Sequence, residues 1–411
     1  MGELFQVRTV RDARELLRKH ITATLPVEQV PLLEALGRRL ARDLSAMDAV
    51  PGFDRSTMDG FAVRARDTFG ATESLPAYLN VTGEVLMGRN TTAAGKLNAG
   101  QAWRIPTGGM LPSGADAVVM VEYTEELDER TIGVTRPVAP GDHIVRAGED
   151  IAPGDGVLSR GHVLRPQDLG LLAAVGLSGV PVFEPVRVGI ISTGDELVET
   201  LEQPGPGQVR DINSYALYGQ AAAAGARPRI YGIVRDDFAS LLDKLRQALV
   251  ECDLVLLSGG SSVGIRDVAA RALDTLGAPG VLFHGISIKP GKPTVGAVVD
   301  GKPVFGLPGH PVSAMVVFDL LVTPLLRYGD YPDDPLEFPV RARMTRNMRS
   351  AAGREDYLRV RLYRENGIIF ADPVLGKSGL ISTMVRASGL ARIPAEKEGV
   401  EAGEYIEVKL F

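Results

Sequence analysis

The stretch RPRIYGIVRDDFASLLDKLRQALVECDLVLLSGG, Arg227 to Gly260, decides how this chain is folded. RPRIYGIV reads as a strand, FASLLDKLRQALVE as an amphipathic helix and DLVLLSGG as a buried strand. Reading outward, VRVGIIS (Val186–Ser192) is another buried strand and NSYALYGQAAAAG (Asn213–Gly225) a helix before it. IRDVAARALDTLG (Ile265–Gly277) is a helix after it. GVLFHGISI, TVGAVVD and KPVFGL then add strands, and PVSAMVVFDLLVTPLLRY (Pro311–Tyr328) closes the unit as a helix. This alternation predicts a mainly parallel sheet with helices on both faces.

The flanks differ in character. Thr9 is placed to cap a helix through His20, and VEQVPLLEALGRRLARDL continues in helical or turn-rich form. Between Pro76 and Val145, AYLNVTGEVL, DAVVMVEY and TIGVTRPV predict a small β domain. RPQDLGLLAAVG predicts a helix ending at Gly176, and VPVF leads out of it. From Tyr331, the pieces PVRARM, DYLRVRLY, GIIFADPV and YIEVKLF predict a second β domain. Its arginine-rich part, Arg341 to Arg364, suits a solvated strand face and an anion-binding face equally well.

Composition bounds the function. A chain of 411 residues exceeds the size of a single hydrophobic core. Its 47 glycines and 27 prolines exceed the ~12% usual share, so defined turns abound. The net charge of −6 argues against a general nucleic-acid binder. The one cysteine, Cys252, permits no internal disulfide and suits a reducing compartment as a small buried apolar residue. The first twenty residues lack the apolar core of a signal peptide, and the apolar runs fall short of the ~20 residues that cross a bilayer. A cytoplasmic protein without membrane contact is expected.

In an open parallel sheet, ligands bind beyond the carboxyl ends of the strands. Four loops there carry polar groups: Thr193-Gly194-Asp195-Glu196, Arg235-Asp236-Asp237, Gly259-Gly260-Ser261-Ser262 and Pro308-Gly309-His310-Pro311. The Gly-Gly-Ser-Ser turn suits an anion, although neither a Walker loop nor a GxGxxG is present. In IKPGKP, Pro290 and Pro293 hold Lys289 and Lys292 extended. Pro311 is expected to open a helix and leave the amides of Val312 and Ser313 free for an anion. Anion and carboxylates on one rim require a cation, so Asp195, Glu196, Asp236, Asp237 and Asp267 are candidate Mg²⁺ ligands. Asp237 and Asp267 are also plausible helix caps or loop residues. The five histidines show no metal-binding spacing.

Taken together, VPGFDRSTMDGFAVR, RIPTGGMLPSGADAVVMVE, IVRAGEDI, ISTGDEL, SGGSSVG, IKPGKP, GLPGHPVSA and the tail GREDYLRVRL with GKSGLISTMVRASGL resemble, in order, the molybdopterin molybdenumtransferase family. That family of molybdenum insertases includes the C-terminal domain of gephyrin. The resemblance implies an elongated homodimer of multidomain α/β plus β chains. Its parts would be a discontinuous N-terminal domain (1–45 plus 146–184), an inserted β-rich domain (46–145), a central α/β domain of the molybdenum-cofactor-biosynthesis fold (185–330) and a C-terminal β domain (331–411). It further implies that adenylylated molybdopterin is cleaved with Mg²⁺, molybdate is inserted and AMP released.

The functional acids implied are Asp59, Asp150, Glu196, Asp236 or Asp237, and Asp267, with Glu196, Asp237 and Asp267 assigned to the metal. Thr107, Thr193, Gly194, Asp195, Ser258, Gly259, Gly260, Ser262, Lys289, Lys292, Pro308, Gly309, His310, Pro311, Arg354 and Ser378 are implied at the ligand. Asp59, Thr107 and Asp150 would reach it from the partner subunit; by themselves they read as turn stabilisers. His310 departs from the asparagine of many relatives and would make activity vary near pH ~6 to 7 if it touches ligand. The adenylyltransferase that precedes insertion, and acceptor molybdoenzymes that follow it, are the expected partners. Alternatives are that adenylyltransferase activity itself, a gephyrin-like scaffold, or a sugar-phosphate or nucleotide enzyme.

Overall fold

The computed structural model describes residues 7–91, 95–259, 263–332 and 337–411, without the side chains of 263–267. Gly260, Ser261, Ser262 and the Asp267 side chain therefore lie outside the described residues. The chain forms two compact units, one of Met1–Glu28, Gly37–Ala41 and Pro181–Phe411, the other of Gln29–Leu36 and Arg42–Val180.

In the first unit, Thr9 caps helix α1 (Val10–His20) by accepting from the Asp12 amide. A six-stranded sheet follows, built from β1 (Arg187–Thr193), β2 (Arg227–Val234), β3 (Leu254–Gly259), β4 (Pro279–His284), β6 (Val295–Val299) and β7 (Lys302–Leu307). Its order is β2-β1-β3-β7-β6-β4, with β1, β2, β3 and β7 parallel and β6 antiparallel to both its neighbours.

Helices α2 (Asn213–Ala223), α3 (Phe238–Glu251) and α4 (Val263–Leu276) make the crossovers, and α5 (Pro311–Val317) runs through a π turn to Tyr328. Side chains alternate across the sheet as the two-residue period requires. Val188, Ile190, Leu254, Leu256, Phe305 and Leu307 pack with α1, α2 and α5. Ile191, Val255, Leu257, Ala297 and Val304 pack with α3 and α4. Burial on both faces explains the unbroken apolar strands. The segment Pro311–Tyr328 has the length and hydropathy of a membrane span, but 67% of it is buried in this fold.

GVLFHGISI, expected as one strand, is two elements. β4 ends at His284, the Ser287 amide donates to the Arg8 carbonyl, and β5 (Ile288–Lys289) joins a different sheet. There it pairs in parallel with Glu355–Asp356 of β9 (Glu355–Glu365). With β8 (Val340–Met344), β10 (Ile368–Pro373), β11 (Gly389–Ile393) and β12 (Tyr405–Leu410), β9 closes a five-stranded barrel in the order β9-β10-β8-β12-β11-β9. Ala342, Val360, Ala391, Ile393 and Val408 fill it.

The second unit holds a six-stranded mixed sheet. Two of its strands, Gly60–Val63 and Gln101–Ile105, escaped the strand reading. GFAV is buried at every position, so it shows no alternation. Phe61 and Val63 pack on one face and Ala62 and Trp103 on the other.

Candidate active site at the carboxyl edge of the sheet

β1 is followed by β2 on one side and β3 on the other, so the strand order reverses at the β1/β3 boundary. That is where an α/β sheet opens a crevice for ligand. There Ser192 stands opposite Ser258 and Thr193 opposite Gly259. Gly259 (φ +131°) is obligatory: a Cβ would lie 1.9 Å from the Thr193 carbonyl oxygen. Gly194 (φ +149°) lets the Glu196 carboxylate fold back over the turn, since a Cβ there would sit 2.6 Å from Glu196 Oε2.

Asn213, at the start of α2 and 7% exposed, ties two of these loops together. Its Nδ2 donates to Ser258 Oγ and to the Gly309 carbonyl, each at 2.8 Å. Its Oδ1 has no hydrogen-bond partner among the described residues.

Acids gather on the β2 side. The Asp236 amide donates to Asp195 Oδ1 at 3.3 Å, while Asp236 Oδ1 is buried without a partner among the described residues. Desolvation, then the charges of Asp195 and Glu196, raise the Asp236 pKa above the ordinary aspartate value. Only Asp236 is partly buried, Asp195 and Glu196 being exposed, and among the described residues no three acids or histidines stand close enough to hold a metal ion by themselves. Asp237 is engaged elsewhere. It caps α3, accepting from the Ser240 amide at 2.8 Å, and its bonds to Ser240 lower its pKa.

On the other side, β6 is antiparallel to β7 with Val295 opposite Gly306, so Lys292 enters the sheet at the same edge. Three strand spacings separate β1 from β6, about 14 Å. Lys292 is exposed. Lys289 is not a free cation: its Nζ lies 3.5 Å from Asp356 Oδ2, while Arg354 Nε donates to Asp356 Oδ1 at 3.0 Å.

Pro311 is the first helical residue of α5, as expected, but of the two amides expected to be free there that of Val312 is taken. The Val312 amide donates to the Ser378 carbonyl at 3.2 Å, because the barrel-side loop folds onto it. Ser378 Oγ and His310 Nδ1 lie 3.0 Å apart. Pro308 is buried, Gly309 half-buried and His310 exposed.

In the second unit, the Thr107 amide donates to Asp59 Oδ1 at 2.6 Å, and this backbone bond, with one from the Thr107 side chain, lowers the Asp59 pKa. Asp150 is exposed, on a segment whose Val145 pairs with Arg55 and whose Ile151 bridges Val50. The MDG and PTGG stretches are thus in contact, while GED packs on the Val50–Pro51 segment that precedes MDG.

Three family descriptions match the chain in succession. The MoeA N-terminal region (domain I and II) covers residues 8–176, "Probable molybdopterin binding domain" covers 189–328, and the MoeA C-terminal region (domain IV) covers 341–411. The molybdopterin molybdenumtransferase of Bacillus subtilis is 33% identical over 99% of this chain and 96% of its own. Molybdopterin molybdenumtransferase 2 of Mycobacterium tuberculosis is 35% identical over 98% and 99%.

The chain belongs to the molybdopterin molybdenumtransferase family. A crystal structure of the molybdopterin biosynthesis MoeA protein from Pyrococcus horikoshii OT3 superposes with a TM-score of 0.84 at 35% identity, covering 99% of this chain and 100% of that one. In this molybdenumtransferase of molybdenum cofactor biosynthesis, the sheet edge described above lies within the segment matched as a probable molybdopterin binding domain.

Sequence reasoning about this molybdenumtransferase left out Asn213 and Asp356. Asn213 sits at a helix start, where asparagine ordinarily caps, so nothing in its spacing marks it as a link between loops 45 and 96 residues away. Asp356 lies within an alternating strand, where a buried acid beneath two cations cannot be told from a solvated one.

Proposed function

We propose that the protein inserts molybdate into adenylylated molybdopterin, with cleavage of the phosphoanhydride and release of AMP. The observation carrying this reading is the β1/β3 crevice, where Gly259 leaves no room for a side chain and Asn213 ties the Ser258 and Gly309 loops together. Asp236, partly desolvated and with Oδ1 unpartnered among the described residues, is the acid this reading assigns to Mg²⁺, with substrate phosphate and water as the remaining ligands. When bound, Mg²⁺ would neutralise phosphate charge as the anhydride breaks.

The chain's own groups do the rest. Thr193, Gly194, Ser258 and Gly259 form a close-approach floor, and Asn213 fixes the Pro308–Gly309 loop against it. Lys292, with Lys289 and Arg354, supplies positive charge for the oxyanion. Asp59, Thr107 and Asp150 belong to this reading as contributions of a partner subunit in a homodimer. The reading places the reaction in the cytoplasm, which the single buried thiol suits.

The test is AMP release from adenylylated molybdopterin with molybdate and Mg²⁺. Release should require both molybdate and the cation and stop with EDTA. Release at the same rate in EDTA would remove the metal assignment; no release under any condition would reject the insertion reading.

A further inference from the structure

We infer that Asp356 is a positioning residue that holds Lys289 and Arg354 as a two-cation clamp for the tetrahedral oxyanion substrate, an inference that rests on the insertion reading above. Asp356 is 1% exposed. The β5/β9 register sets it directly beside Lys289, and Arg354 precedes it by two residues on the same strand entry. Its Oδ1 accepts from Arg354 Nε, while Oδ2 makes no hydrogen bond among the described residues and faces Lys289 Nζ at 3.5 Å.

A buried carboxylate is costly without compensating charge. Two cations over one acid leave the cluster with a surplus positive charge. The Lys289 and Arg354 side chains remain 57% and 37% exposed, so each touches the acid with one side and solvent with the rest. Arg354 spends Nε on Asp356, which leaves its Nη donors for a tetrahedral anion that can accept paired N–H groups. Lys289 is a flexible chain, and a fixed counter-charge beneath it reduces the freedom lost when it grips an anion. No other described contact orients either cation. The acid therefore sets where the clamp opens.

Steady-state kinetics against molybdate concentration test this. Asp356→Asn should raise KM for molybdate about tenfold with kcat within about twofold. In a Lys289→Ala/Arg354→Ala background the same change should add little, because groups acting through one another are non-additive. Asp356→Glu, which keeps the charge but moves it by one methylene, should give an intermediate KM, and it serves if the asparagine variant does not fold.

Wild-type KM in both Asp356 variants would overturn the inference, as would an undiminished effect in the double-alanine background, which would mark Asp356 as a plain structural residue. If Lys289→Ala and Arg354→Ala themselves leave KM unchanged, the oxyanion reading of this loop fails and the clamp falls with it. That outcome is distinct from a failure confined to Asp356.

Discussion

Asp236 carries a stability signature that a solvated aspartate would lack. Its native pKa is raised, so between the unfolded and native values the folded state binds more protons than the unfolded chain. Stability should therefore fall as pH rises through that window, and Asp236→Asn should flatten the fall; thermal unfolding from about pH 3 to 6 reads both. At neutral pH, Mg²⁺ should raise the unfolding temperature of the wild type and have little effect on the variant, which differential scanning measures. Asn213→Ala removes two hydrogen bonds from a buried place and should cost about 1–3 kcal/mol in denaturant unfolding. It should also raise KM for the pterin substrate, since Ser258 and the Gly309 loop lose their link. A variant with wild-type KM would make Asn213 a stabilising residue only.

At the level of elements, the β1/β3 junction tolerates no added side chain. A methyl group at Gly259 would overlap the Thr193 carbonyl, which is backbone and cannot swing aside. Gly259→Ala should destabilise by on the order of 3 kcal/mol and part the two strand ends, with loss of protection at the Thr193 to Glu196 amides in hydrogen exchange. Much of the α/β unit was legible from its apolar strands and amphipathic helices, because burial on both faces writes itself into local composition. The short strand β5 was not: two residues carry no period, and its partner lies 67 positions away. Barrel closure was equally hidden, since the pairing of β9 with β11 leaves no mark in either strand.

For the whole molecule, the insertion reading requires residues from two chains. Sedimentation should give twice the 43.8 kDa chain mass. Mixing inactive Asp59→Asn and Glu196→Gln proteins after mild dissociation should restore about a quarter of wild-type activity, because half the dimers are mixed and each mixed dimer has one intact site. No recovery in a mixture shown to exchange subunits would mean that Asp59 does not serve the partner's site.

Sequence alone determined the family, the mainly parallel α/β core and the polar loops at the carboxyl ends of its strands, because strand period, glycine turns and helix starts are local properties. Tertiary structure alone decided that Lys289 leaves the α/β sheet for a barrel strand, that Asp356 lies beneath it, that Ser378 takes the Val312 amide at the α5 start and that Asp237 is spent on a cap. Each of these depends on which distant atoms come within hydrogen-bond reach, and that is set by packing of the completed fold.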